Sequence, residues 1–423
     1  MKVLVLGSGA REHALSWMCE RSPAVDKVMT APGNGATQAV GAHITIDPRD
    51  PAEVLAAVHE YDIDLTVIGP DDAVAAGVAD HLLKAGRKVF GPTAAAGRIE
   101  SSKSFAKEVM MVARVPTADY HVFDDAHAAR EHVRRRNQPM VVKADGLALG
   151  KGVVVCDTVS QTLDAVERAM VGNAFGEAGT RILLEQRLEG PEVSLMCLCD
   201  GERAVPMAPA RDYKRAGDGD KGPNTGGMGA YSAPADVGEA MVAQILRQCA
   251  QPVVTELASR GTPYHGCLYT QVMLTSEGPM VIEFNARFGD PEAQVVLPRL
   301  QGDLVDLMLA CAAGDVSPAP MTWSPEATVG VVLASRGYPG HYETGIPIDG
   351  LDDLEDGVLA FHAGTRHTAT GYITRGGRVV TIVASGKTVA AARERAYANV
   401  ARVTFDGVFF RSDIAKRELA PAG

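Results

Sequence analysis

Glu283, Asn285 and Arg287 fall at every second position of the segment 281–292, Val-Ile-Glu-Phe-Asn-Ala-Arg-Phe-Gly-Asp-Pro-Glu, with Ile282, Phe284 and Ala286 alternating alongside them. In an extended strand that period sends the three polar side chains to one face and packs the apolar ones into the other. A carboxylate, an amide oxygen and a guanidinium side by side suit a Mg2+ ion holding a triphosphate, with Arg287 meeting phosphate charge. A solvated edge strand more usually carries Lys, Glu and Thr.

Further upstream, Met-Val-Val-Lys-Ala-Asp-Gly-Leu-Ala-Leu-Gly-Lys-Gly at 140–152 reads as a strand entering a glycine hairpin. Lys143 ends the strand and Lys151 sits between two glycines, an arrangement suited to the phosphates of ATP, although the spacing is not the Walker pattern. An apolar strand at 181–188 runs into the connector Glu185-Gln186-Arg187-Leu188, then a turn and Glu192. Its backbone can meet an adenine edge and Glu192 the ribose hydroxyls. Between 211 and 232 lies a glycine-dense stretch that also carries fixed charges and a proline, which reads as an ordered binding loop rather than a linker. Successive glycine N–H groups, with Asp212 for an amine and Lys214 for an anion, suit a small zwitterion such as an amino acid.

These residues need a scaffold. Apolar runs at 3–6, 27–30, 65–68 and 88–90, separated by helical segments at 11–20, 51–60 and 73–85, predict a doubly wound open parallel sheet. Each strand runs into a polar or glycine turn at its carboxyl end, the first being Gly7-Ser8-Gly9-Ala10-Arg11-Glu12, an anion site built from backbone N–H groups and a helix N-terminus. A dinucleotide fold would place a third glycine where Glu12 stands and an acid where the second strand ends in Ala31-Pro32-Gly33. A single phosphate on a small sugar fits better, with Glu12 accepting from ribose hydroxyls. The last hundred residues predict a small α+β domain, with strands at 328–334, 371–373 and 379–384 and an amphipathic helix over 388–403 capped by Thr388, whose expected role is packing.

A chain of 423 residues implies two to four domains, and a formal charge of −11 argues against nucleic-acid or anionic-membrane partners. Its 46% hydrophobic and 22% charged content is that of an ordinary globular enzyme. The seven cysteines lack metal spacing and read as reduced, buried thiols. His13 and His265 read as structural. No signal segment or run of about 20 apolar residues is evident, so a cytoplasmic location is expected.

Together these motifs resemble the ATP-grasp carboxylate-amine ligases. Gly-x-Gly-x-Arg-Glu-His-Ala-Leu at 7–15, Ala-Pro-Gly-Asn at 31–34, Lys-Ala-Asp-Gly-Leu-Ala-x-Gly-Lys-Gly at 143–152, Gly-Pro-Asn-Thr-Gly-Gly-Met-Gly-Ala-Tyr at 222–231 and Glu-Phe-Asn-x-Arg-Phe-Gly-Asp-Pro-Glu at 283–292 are similar to the phosphoribosylamine–glycine ligase family over nearly the whole chain. The resemblance implies an N-terminal open-sheet domain over 1–100, an ATP-grasp domain over 101–324 with a mobile lid at about 115–187, and a C-terminal domain over 325–423. It implies a monomer that joins glycine to 5-phosphoribosylamine with ATP and Mg2+ or Mn2+. Glu283 and Asn285 would hold the metal. Arg287, Lys143 and Asp212 would be catalytic, and Lys103, Lys143, Lys151, Glu185, Leu188 and Glu192 would hold ATP. Gly9, Arg11, Glu12, Asn34, Asp71, Asp212, Lys214, Asn224, Thr225, Gly226 and Gly227 would meet the other substrates. The chain departs from the family pattern at Gln186-Arg187, at Asp71 where Glu is usual, at Ala415, and at Gln271, where glycine is common. Another ATP-grasp ligase with a different acceptor, or a non-catalytic nucleotide-binding protein, would share parts of this pattern.

Overall fold

The computed structural model describes residues 1–147, 152–316 and 321–419, so Lys151 lies outside the described residues. Strands Lys2–Gly7, Lys27–Pro32, Leu65–Ile68 and Val89–Phe90 form the expected parallel sheet, with Lys2–Gly7 at its centre. A fifth strand, Ala42–His43, extends one edge beside Lys27–Pro32. Two residues carry no readable periodicity, which is why the sequence does not announce it. The helix expected over 73–85 is two helices, Asp71–Ala75 and Val78–Lys84. Gly77 between them has φ +77°, a left-handed conformation that a continuous helix does not accommodate.

The central sheet is antiparallel, in the order Ala204–Pro206, Glu192–Gly201, Tyr264–Thr275, Gly278–Asn285. One of its faces shares a single apolar core with the N-terminal sheet, through Val193, Leu195, Val272, Val281 and Phe284 on one side and Leu4, Leu6 and Val89 on the other. The last strand corrects the sequence reading. Gln271 pairs with Glu283 but Val272 pairs with Val281, so Ile282 is an extra residue. Such a bulge resets the side-chain alternation. Val281 and Phe284 therefore enter the core, while Ile282, expected there, lines a cleft beside Glu283. The strand ends at Asn285, and Arg287 stands on the turn beyond it.

A smaller four-stranded antiparallel sheet, in the order Tyr120–Phe123, Ile182–Gln186, Met140–Ala144, Val153–Val155, packs with helices Ala126–Arg136 and Val159–Met170 around its own core of Val133, Val142, Val166 and Leu184. In the C-terminal region, Ala327–Ser335, Gly371–Thr374 and Arg378–Gly386 are strands as expected. The helix is Val389–Val400, shorter than predicted, and the Thr388 hydroxyl accepts from the Ala391 N–H at 3.1 Å. The main sheet here begins far upstream: Arg211–Asp212 pairs with Gly229–Ser232, which pairs with Ala327–Ser335. All seven cysteines are free and buried. Among the described residues no helix is long and apolar enough to cross a membrane.

The two ends of the chain meet at two histidines. The His362 N–H donates to His13 Nδ1 at 2.9 Å, and Asn34 Nδ2 donates to the His362 carbonyl at 2.7 Å. Burial lowers His13 to about 4, and burial together with His13 lowers His362 to about 3. Between their ordinary value of 6.5 and these depressed values the unfolded chain binds protons that the folded chain does not. Their contribution is intact above pH 6.5 and is lost as pH falls through the window below it. The unfolding temperature should therefore drop between pH 7 and pH 5, and His13→Gln, which keeps an acceptor for the His362 N–H, should flatten that slope. An unchanged slope in a pH series of thermal melts would exclude His13 as a contributor.

Candidate active site

The central sheet turns its other face to a cleft of about 1130 Å³, closed on the opposite side by the small sheet and at one end by the loop after Arg211–Asp212. Lys103, Lys143, Glu185, Leu188, Glu192, Asp71, Asp212, Lys214, Asn224, Thr225, Gly226, Glu283, Asn285 and Arg287 all line it. Of the expected site residues that the structure describes, Gly9, Arg11, Glu12, Asn34 and Gly227 do not line it.

Much of the charge inside the cleft is paired. Lys143 and Lys107 both reach Glu185 Oε2, each at 3.1 Å, and Lys143 also donates to the Ile282 carbonyl at 2.8 Å. Glu185 is 3% exposed, so its carboxylate is an internal counter-ion for two ammonium groups, a role its place in the connector does not suggest. The Arg287 guanidinium meets Glu100 Oε1 at 2.9 Å and donates to Asn285 Oδ1 at 3.1 Å, while its buried Nε has no hydrogen-bond partner among the described residues. Lys214 lies 3.4 Å from Glu283 Oε1. Burial works to raise the Glu283 carboxyl, but Lys214, Lys103, Lys143 and Arg287 outweigh it and hold the group down to about 2. Asp212 moves the other way: burial and the nearby Glu292 and Glu192 push its carboxyl well up, against the pull of Lys214.

Glu283 and Asn285 bring two oxygens to one place, and among the described residues no group of three or more His, Cys, Asp or Glu is placed to hold a metal. That donor set fits a hard cation that takes the rest of its shell from phosphate and water. The Asn285 amide oxygen accepts from Arg287 and still has a second lone pair.

The N-terminal turn is wound round Glu12. Its carboxylate accepts from the Gly9 N–H and from Arg11 Nε, both at 2.6 Å, and it is 2% exposed. In the structure the Glu12 carboxylate is thus engaged within its own turn. A Cβ on Gly69 would lie 2.3 Å from Glu12 Oε1, so that close packing requires glycine. Arg11 donates to the Phe288 carbonyl at 3.2 Å. Asn34 is likewise occupied, donating to the Ser8 and His362 carbonyls and accepting from the Ala36 and Thr37 N–H groups. Gly227 has φ +115°, and a Cβ there would meet Pro291 Cδ at 2.3 Å, so it fits the loop against the 290–291 turn.

Several residues at the site escape sequence reasoning. Lys107 and Glu100 sit on helices Lys103–Val112 and Ala94–Ser101, where a charged residue reads as a solvated face, yet both are buried. The spacing of Lys107 four residues after Lys103 is the one available signal, because it puts both on one helix face. Glu292, held by the Tyr269 hydroxyl at 2.7 Å, stands in the 283–292 motif without an assigned role. The C-terminal region was expected only to pack, but Arg378 pairs with Asp290 at 3.0 Å and donates to the Gly226 carbonyl at 2.8 Å, and the Gly226 N–H donates to the Tyr338 hydroxyl at 3.0 Å.

Comparison with known proteins bears on this arrangement. Three family profiles match in series, described as the phosphoribosylglycinamide synthetase N domain over residues 1–100, its ATP-grasp (A) domain over 101–293 and its C domain over 328–417. A phosphoribosylamine–glycine ligase of Vibrio parahaemolyticus is 43% identical over 424 aligned residues, covering 99% of both chains. The chain belongs to the phosphoribosylamine–glycine ligase family. A crystal structure of a family member from Thermotoga maritima is 32% identical, with TM-score 0.86 over 98% of this chain and 100% of that one. A biotin carboxylase from Campylobacter jejuni shares the fold at 16% identity, with TM-score 0.75 over 96% of this chain and 92% of that one.

The shared counter-ion gives a direct test. Glu185→Gln keeps the shape but leaves Lys107 and Lys143 buried without a carboxylate, which should cost about 3 kcal/mol of unfolding free energy. Urea denaturation measures it, and a variant as stable as the parent would show that Glu185 is not their counter-ion.

Proposed function

We propose that this cleft joins glycine to 5-phosphoribosylamine at the expense of ATP, the phosphoribosylamine–glycine ligase reaction of purine biosynthesis, through a glycyl phosphate. The observation that carries the reading is the convergence of Glu283, Asn285, Arg287 and Lys143 in one cleft with the loop bearing Asp212 and Lys214. ATP lies between the small sheet and the central sheet, its adenine against the backbone of the 185–188 connector and its ribose at Glu192. Lys103 and Lys143 take the phosphates. Lys143 is released from Glu185 only in part, since Lys107 remains to hold that carboxylate.

Glu283 and Asn285 hold the divalent cation, Mg2+ or Mn2+, which supplies charge neutralisation at the transferring phosphoryl group. Glycine sits on the loop, its ammonium at Asp212 and its carboxylate towards Lys214. An arriving ammonium would restore the ionised form of Asp212, which burial otherwise disfavours. The glycine carboxylate oxygen attacks the terminal phosphorus, the bond to ADP breaks, and Arg287 steadies the charge on the moving group. The amine of phosphoribosylamine then adds to the acyl carbon and phosphate leaves. The acceptor enters past Asp71, Gly226 and Asp290, which line the same cleft. No side-chain nucleophile is needed, because the mixed anhydride forms on the substrate. Exclusion of water by closure of the small sheet protects it from hydrolysis.

ADP release should require glycine, and glycinamide ribonucleotide should appear only when phosphoribosylamine is added as well. ADP formed regardless of both would overturn the reading, and ligation of another amino acid in glycine's place would revise the substrate. Glu283→Ala should lower ligation at least about a hundredfold while leaving the circular dichroism spectrum intact. Parental activity in that variant would move the metal elsewhere.

A further inference from the structure

Gln271 is a fully buried polar residue on the strand Tyr264–Thr275, with 0% of its surface exposed. In register it lies between Ser194 and Glu283, in the row where the bulge begins. Both ends of its amide are engaged. Nε2 donates to Glu192 Oε2 at 2.6 Å, and Oε1 accepts from the Lys214 ammonium. An ammonium has no acceptor and a carboxylate no donor, so only this orientation of the amide satisfies both partners. A hydrophobic or smaller residue would leave two charged groups inside the cleft without their link.

We infer that Gln271 is a positioning residue that sets the nucleotide-ribose acid Glu192 and the glycine-carboxylate cation Lys214 with one amide, so that the two substrate sites share a single support. This rests on the roles proposed above for Glu192 and Lys214. Hydrogen bonds to charged groups are the stronger ones, and here they orient side chains that would otherwise choose other partners. Lys214 shows what the alternative is: it already stands 3.4 Å from Glu283, and without the amide oxygen that carboxylate becomes its nearest acceptor.

Two substitutions separate the two ends of the amide. Gln271→Leu removes both bonds and should weaken ADP binding, measured by calorimetry, and raise KM for glycine, each about tenfold. Gln271→Glu keeps an acceptor for Lys214 but sets a second carboxylate against Glu192, so it should weaken ADP binding while KM for glycine stays within about twofold. A residue that merely fills space would not produce that split. Parental ADP affinity and parental KM for glycine in Gln271→Leu, in a chain whose circular dichroism and melting are unchanged, would overturn the proposal, as would equal effects of the two variants on both substrates. Glu192→Gln tests the underlying reading by itself: parental ADP affinity there removes Glu192 from the ribose site and takes the proposal with it. Weakened binding there, alongside parental binding in Gln271→Leu, overturns the Gln271 assignment alone.

Discussion

A cleft that gathers cations for an anionic ligand must keep them compatible with a folded protein before the ligand arrives. Isolated charge out of water is costly, and the remedy is a partner within hydrogen-bond distance. Here several cations of the cleft have a carboxylate partner: Glu185, shared by Lys143 and Lys107, Glu100 for Arg287, Glu283 for Lys214, Asp290 for Arg378 and Asp236 for Arg211. These counter-ions come from separate stretches of chain. The pairs therefore link the small sheet, the central sheet, helix Ala94–Ser101 and the C-terminal region across the cleft, in addition to the apolar cores.

The same constraint explains what could be read from the sequence and what could not. The alternation exposed Glu283 and Asn285 because a strand with one buried face writes its period directly into residue type, and Arg287 continues the pattern on the turn beyond the strand. The glycine-dense binding loop was legible for a similar reason, since Gly227 occupies a backbone conformation that other residues avoid, whereas Gly77 reads as part of a continuous helix and breaks it. Counter-ions have no such signature. Glu100 and Lys107 are ordinary helix residues until tertiary contacts bury them. Glu12 and Asn34 look like ligand contacts because they stand in a ligand-type turn, and what the residue types do not announce is that their polar atoms also bond within that turn.

The bulge at Ile282 is a further limit of pattern reading. A strict period of two across 281–287 sends Ile282 inward and leaves Val281 out of the core, and the structure does the opposite. Because the extra residue is itself apolar, nothing in the local composition marks it. The polar positions 283 and 285 were nonetheless placed on the right face, since they lie on the same side of the irregularity as Phe284.

The pairing of Gly229–Ser232 with Ala327–Ser335 has a consequence for how this polypeptide can be divided. The binding loop belongs by sequence to the middle of the chain but is suspended between strands whose sheet neighbours come from its end. A fragment stopping before the C-terminal region would present the Gly229–Ser232 backbone as an open edge, ready to recruit any extended strand, including that of another copy. The last hundred residues are thus the other half of the frame on which the loop is strung. Gene fusions or split reporters built on this fold would have to keep both halves of that sheet in the same piece.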